Sequence, residues 1–317
     1  MFYRVAVVCL LLSAIAGAQP SSEVNTVYLE SQKQLLAGYY VPARDGFAKA
    51  WKGFERELGQ THPSTIDARI FYGQLLAMTG DPEKAVTVLG PISNGNTRSA
   101  MIARSCFALA LTHMGQLKRA TKLLSELVHT FPATSPEDVI HLGRIQSELA
   151  VGLAYSRRFR EAEAAAGEAL RLLKASGVAT PLHKASVYTV LGQIYLLSHR
   201  DAQAREALLQ AKAAIGPLWD ITHPELAILE GALGMIAFRA GRYDEAERRT
   251  RLALASMEKL LGPDHGEVGV LSRHLSVILK KQKRSDESKE MAMRARRILD
   301  RANAGATVSA WSFREVK

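Results

Sequence analysis

An internal repeat constrains this chain more than any other feature of its sequence. A small residue recurs at spacings of 42, 35, 42, 42, 42 and 42 residues, at Ala43, Ala85, Ala120, Ala162, Ala204, Ala246 and Ser288. A second small column lies twelve residues earlier, at Ser31, Gly73, Ala108, Ala150, Gly192, Gly234 and Ser276. A third column, seven residues later, is apolar, at Ala50, Ile92, Leu127, Ala169, Ala211, Ala253 and Ala295. Three columns in one register indicate repeating structural units.

The pattern predicts that each unit consists of two antiparallel helices, A and B. Helix axes that cross at about 8–10 Å leave room only for small side chains, which explains one small residue on each helix. Glycines at 80, 115 and 241 mark the turn between the helices, where a left-handed residue commonly ends a helix. The pattern predicts seven units, at about 24–59, 62–95, 96–134, 137–178, 179–221, 222–262 and 263–300.

These columns resemble the tetratricopeptide repeat, whose consensus Leu233, Gly234, Tyr243 and Ala246 match closely. The 42-residue period is longer than the usual period of about 34. It is similar to the longer repeat of kinesin light chains, which the links at 58–63, 219–224 and 261–265 also resemble. The resemblance implies an all-α, right-handed superhelical solenoid over residues 19–300, followed by a tail at 301–317. The first and last units depart from the pattern, as the exposed ends of solenoids commonly do.

Residues 1–18 have the features of a secretory signal peptide. Arg4 precedes an apolar run from Val5 to Ile15, and Ala16-Gly17-Ala18 has the small-x-small form of a cleavage site. The run is shorter than the roughly 20 residues of a spanning helix, so a retained membrane anchor is the weaker alternative. We therefore expect a soluble mature protein, periplasmic or secreted. Cleavage would remove Cys9 and leave Cys106, for which we expect a buried position rather than a reactive thiol.

The composition is that of a globular protein, with 317 residues, 47% hydrophobic, 23% charged and a net charge of +10. The sequence contains no phosphate-binding glycine loop, no zinc-protease or nucleophile-elbow motif and no paired cysteines. We therefore predict no catalytic residue, no cofactor and no metal site. His62, His223 and His265 recur at the links between units, where we expect them to cap the following helix.

The resemblance implies that the A helices line a concave surface that binds peptides. The candidate groove residues are Gln74, His113, Arg144, Tyr155, Gln193, Phe238, Arg239, Arg273, Lys280 and Lys281. Among the concave positions, Asp67 is the one acid counted against five cations. The expected partner is therefore a protein or peptide segment that is extended, acidic and partly apolar, as in kinesin light chains. A site that binds the C-terminal carboxylate of a peptide is not expected, because Gln74 and Gln193 occupy positions where the resemblance implies that such a site requires Asn.

Two other classes of function stay open at the level of sequence. The chain could be a structural or assembly subunit of a cell-envelope complex, associating through its ends or tail, or an enzyme with an unrecognised site. Residues 280–301 hold nine Lys or Arg against four Asp or Glu. This excess fits a solvated helix face or contact with an anionic envelope surface. Nucleic acid is not an expected partner, because no aromatic stacking platform accompanies the charge. The sequence predicts no particular oligomeric state.

Overall fold

The computed structural model describes residues 20–216 and 223–303. Within these ranges the chain forms fourteen α-helices and no strand. They are α1 (Ser22–Leu36), α2 (Tyr40–Leu58), α3 (Pro63–Met78), α4 (Pro82–Leu89), α5 (Arg98–His113), α6 (Leu117–Thr130), α7 (Pro136–Tyr155), α8 (Phe159–Ser176), α9 (Pro181–Leu197), α10 (Asp201–Ile215), α11 (Pro224–Arg239), α12 (Tyr243–Leu261), α13 (Gly266–Lys281) and α14 (Ser285–Asn303). The predicted signal peptide, the link at 219–222 and residues 304–317 of the tail lie outside the described residues.

The helices stack in the order of the sequence. Each odd-numbered helix packs on the even-numbered helix that follows it, and each pair packs on the next pair. The odd-numbered helices also contact one another from α3 to α13 and so form a continuous face. This arrangement confirms the predicted all-α superhelical repeat fold.

The small-residue columns lie at the helix crossings. The B-helix alanines at 43, 85, 120, 162, 204 and 246 are all completely buried. A Cβ on Gly73 of α3 would lie 2.5 Å from Cγ of Leu89 on α4. In the last pair, the Ser288 hydroxyl donates to the Ser276 carbonyl at 2.8 Å, which joins the two columns directly. Close approach of the axes is therefore the reason for the small residues.

Each A–B turn contains one residue in the left-handed conformation. These residues are Gly38, Gly80, Gly115, Arg157, His199, Gly241 and Lys283, which repeat in the same register as the alanines. In each turn the following N–H donates to a carbonyl five residues earlier, as from Arg158 to Leu153 at 2.9 Å. This is the Schellman hydrogen bond of a helix end. It holds even the three non-glycine residues in a conformation that costs them about 1 kcal/mol.

The link histidines cap the helices that follow them. The Nδ1 atoms of His62, His223 and His265 accept the backbone N–H two residues later at 3.2, 3.3 and 3.2 Å. They begin α3, α11 and α13, which confirms the capping role. Cys106 is also where the sequence placed it, fully buried in α5, and burial raises the pKa of its thiol.

Candidate functional site

The candidate groove residues lie on the continuous face of A helices. Gln74 is on α3, His113 on α5, Arg144 and Tyr155 on α7, Gln193 on α9, Phe238 and Arg239 on α11, and Arg273, Lys280 and Lys281 on α13. Most of these side chains are half-buried, Gln193 is buried, and the two lysines are exposed. The candidate residues thus lie on the A helices of six successive repeats.

This inner face is enclosed, because the superhelix turns back on itself. Helix α2 of the first repeat contacts α12 of the sixth. The His265 imidazole at the start of α13 lies against the α3–α4 turn, with Nε2 3.4 Å from the position of a Cβ on Gly80. Burial raises the pKa of Tyr155 on α7, and the charge of Glu267 on α13 raises it further. The repeat pattern alone did not predict this closure, which turns the concave surface into a narrow interior.

Burial by the surrounding protein reduces the hydration of the ionisable groups of the interior. Burial raises the pKa of Asp67 to about 6 and that of Glu148 to about 7. It lowers the pKa of His113 to about 4 and that of His274 to about 3. In every case loss of hydration is the largest cause, because it penalises the charged form. The interior therefore favours neutral side chains and compensated pairs over isolated charges.

Four of the candidate residues form hydrogen bonds that connect neighbouring repeats. The Gln193 amide donates to the Tyr155 hydroxyl at 2.6 Å, from α9 to α7. Arg144 donates to the Ser105 hydroxyl of α5 at 3.0 Å. Arg239 donates to the Leu196 carbonyl at the end of α9 at 3.1 Å. These side chains therefore hold the stack together, whatever else they bind.

The charge count of the inner face needs a correction. Arg144 forms an ion pair with Glu148 at 3.4 Å, and Arg239 pairs with Asp201 at 2.7 Å. The prediction that Asp67 alone opposes these cations is therefore wrong for both arginines, because each has an acidic partner. Glu148 could have been found, since it lies one helical turn after Arg144 on the same helix. Asp201 begins a different helix, and only the packing brings it to Arg239.

Uncompensated positive charge is concentrated at the end of α13. Lys280 and Lys281 are exposed, and neither forms an ion pair with any residue that the structure describes. Lys283, in the turn that follows, is exposed as well. We call the end of α13, with these three exposed lysines, the rim of the inner face; water screens its charges and no desolvation opposes them.

An apolar recess lies between the last two repeats. Its volume is about 10 Å³, the size of one water molecule, and its lining includes the candidate residue Phe238. Its lining consists of Met235, Phe238, Thr250, His274, Val277 and Ile278. Thr250 and His274 are its polar members.

The described residues do not form a cluster of three His, Cys, Asp or Glu side chains suited to a metal ion. No helix in the described ranges is both long enough and apolar enough to cross a membrane.

Comparison with known proteins identifies the repeat type. Residues 225–301, which cover α11 to α14, match the family model of the tetratricopeptide repeat. The chain has a tetratricopeptide-repeat fold. No curated protein matches the sequence. The predicted repeat family is thus confirmed, whereas its 42-residue, kinesin-light-chain type stays a prediction.

Several solved structures share the fold at low sequence identity. A Rap protein complexed with competence and sporulation factor is 15% identical, with a TM-score of 0.66 over 90% of this chain and 78% of that one. The APC/C hetero-tetramer Cut9–Hcn1 is 16% identical, with a TM-score of 0.65 over 90% of this chain and 48% of that one. BtubC (BKLC) from P. vanneervenii is 16% identical, with a TM-score of 0.51 over 75% of this chain and 92% of that one. This fold supports a protein–protein interaction scaffold, of a repeat type that is typically non-catalytic.

Proposed function

We propose that the protein is an exported, non-catalytic scaffold that binds an extended peptide segment of its partner in the enclosed inner face. The segment is acidic and partly apolar. The observation that carries the proposal is the pairing of a neutral, hydrogen-bonding interior with exposed lysines at its rim.

The enclosure limits the shape of the ligand. Contacts between α2 and α12 and between His265 and the Gly80 turn close the inner face. An extended segment fits such an interior, whereas a folded domain does not. Backbone amides of a segment would find a hydrogen-bonding group in Gln74, and an apolar side chain would pack against the half-buried ring of Phe238.

The distribution of charge limits the composition of the ligand. Carboxylates deep in the interior would lose hydration, as the raised pKa values of Asp67 and Glu148 indicate. Acidic residues of the ligand therefore belong at the rim, opposite Lys280 and Lys281. One structural neighbour is a Rap protein complexed with competence and sporulation factor, which gives a precedent for a bound factor on this type of scaffold.

Fluorescence anisotropy with designed peptides tests the proposed binding. The probes are twelve-residue labelled peptides that contain one aromatic residue and either Asp/Glu or Lys/Arg. We expect the acidic set to bind and the basic set not to bind. The variant Lys280→Glu/Lys281→Glu should bind about tenfold more weakly, since reversing two exposed charges changes the binding free energy by about 1.4 kcal/mol.

The control is Lys118→Glu/Lys122→Glu, which makes the same charge change at exposed positions on α6. Equal losses in both variants would show that only net charge matters and would refute the rim site, as would equal binding of acidic and basic peptides. Arg239 is a poor choice for this test, because its reversal would break the pair with Asp201. N-terminal sequencing of the mature protein tests export. A start at Gln19 supports it, and a start at Met1 contradicts it.

A further inference from the structure

The closure of the superhelix brings together two histidines from distant repeats. His113 is the last residue of α5, and His265 caps α13. Burial lowers the pKa of His265 to about 4, and the charge of His113 lowers it further. We call the contact of α2 and the Gly80 turn with α12 and the start of α13 the seam. His265 lies in the seam, against Gly80, and His113 lies beside it.

The seam has no apolar core of its own. Throughout the described ranges, each cluster of buried apolar side chains joins successive repeats, and none combines the first two repeats with the last two. Apolar burial is the main source of stability in helix packing. The seam is therefore the contact that can open while the stack of repeats remains intact.

Neither imidazole forms an ion pair with an acid in the described ranges, and no acid is among the groups that shift their pKa values. Nδ1 of His265 already accepts the Glu267 N–H, and its Nε2 is buried without a hydrogen-bond partner in the described chain. The nearby acids have other contacts. Asp81 caps α4, and Asp264 pairs with Arg301 of α14 at 3.5 Å. The charge of Glu267 acts on Tyr155 of α7, and that of the buried Glu225 of α11 acts on Tyr40 of α2. Arg44 of α2 donates to the hydroxyl of Thr79, the residue before Gly80, at 3.2 Å.

We propose that His113 and His265 make the seam a pH-dependent closure that admits ligand to the interior when the two imidazoles become protonated. Neutral imidazoles pack in the closed seam. Two adjacent positive charges without counterions favour the open form, in which water solvates them. Because the seam would control access of the peptide to the inner face, this inference rests on the proposed peptide binding.

The direction and size of the effect follow from proton linkage. In the closed form burial holds the pKa of both histidines at about 4, against 6.5 for a solvated imidazole. Because the closed form binds protons less tightly, its advantage is complete above pH 6.5 and is lost as the pH falls towards 4. At pH 5 each histidine shifts the ratio of open to closed molecules about 30-fold towards the open form.

Small-angle X-ray scattering of the ligand-free protein at pH 7.5 and pH 5 tests the proposal, with helix content followed by circular dichroism. We expect the radius of gyration to increase at pH 5 while the helix content is retained. The variant His113→Gln/His265→Asn, which keeps a side chain able to cap α13, should stay compact at pH 5. The matched control His62→Asn replaces the equivalent capping histidine of α3, outside the seam, and should expand like the wild type.

Three outcomes would overturn the proposal. They are an unchanged radius in the wild type, the same expansion in the double variant, and expansion that coincides with loss of helix. His141 and His274, whose pKa values are also low, are kept in every variant, so a difference between variants reports on the seam. No ligand is present, and failure of this test is therefore distinct from failure of peptide binding.

Discussion

Replacing Gly73 with Ala tests whether the small-residue columns are set by helix crossing. Gly73 lies on α3, where a Cβ would be 2.5, 2.6 and 2.9 Å from Cγ, Cδ2 and Cδ1 of Leu89. Favourable carbon contacts lie at about 3.5–4.0 Å, so Leu89 or its helix would have to move by about 1 Å. Leu89 is completely buried, so its side chain cannot move out into solvent. The matched control is Gly167→Ala in α8, where the added Cβ would meet nothing within 4 Å.

The two substitutions share their effect on helix propensity and differ in packing. Ala in place of Gly stabilises a helix interior by about 1 kcal/mol. Overpacking a core costs about 1–3 kcal/mol, and a clash with three atoms of one buried side chain belongs at the upper end. Gly73→Ala should therefore lower the free energy of unfolding by about 2 kcal/mol, and Gly167→Ala should raise it by about 1 kcal/mol.

Urea unfolding followed by far-UV circular dichroism measures this difference of about 3 kcal/mol. The two variants should have different midpoints and the same slope, since a changed slope would indicate a change in cooperativity rather than in stability. If Gly73→Ala were as stable as Gly167→Ala, the small residues would not owe their position to close helix crossing, and the reasoning would fail.

Two further predictions concern buried carboxylates that sequence reasoning missed. Glu230 of α11 is only 3% exposed and accepts from Lys212 and Arg249 at 2.6 Å each. Glu230→Ala should lower the free energy of unfolding by about 2 kcal/mol. The loss is smaller than for a wholly buried pair because both cations are partly exposed. A loss under about 0.5 kcal/mol would contradict the structural role of the pair. Burial raises the pKa of Glu148 from 4.5 to about 7, so the wild type loses stability as the pH rises through this window. Glu148→Gln should therefore gain about 2 kcal/mol over the wild type between pH 5 and pH 8 in urea titrations, and an advantage that is the same at both pH values would refute the assignment.

The local features of the fold could be predicted from the sequence, because they depend on contacts within one repeat. Ala162 and Ala204 had to be small where two axes cross, and both are fully buried. Gly80 and Gly241 had to end helices, and both have positive φ. Arg157 and His199 occupy the same turn position without the glycine that would have marked it. Their conformation is imposed by the Schellman hydrogen bonds, so the residue type did not reveal it.

The candidate site could be predicted only in outline. The repeat register placed Tyr155 and Gln193 on a common face, and the structure joins them by a hydrogen bond. The register could not show that Arg239 pairs with Asp201, because that pair depends on how two successive repeats are rotated against each other.

By itself, then, the sequence determined the repeat, the helix pairing and the identity of the inner face. These follow from side-chain size and backbone conformation at fixed spacings, which any one repeat already displays. Only the tertiary structure decided that His265 meets the Gly80 turn and that α2 meets α12. The physical reason is that each repeat adds a small rotation, and the sum over successive repeats determines whether distant parts of the chain touch.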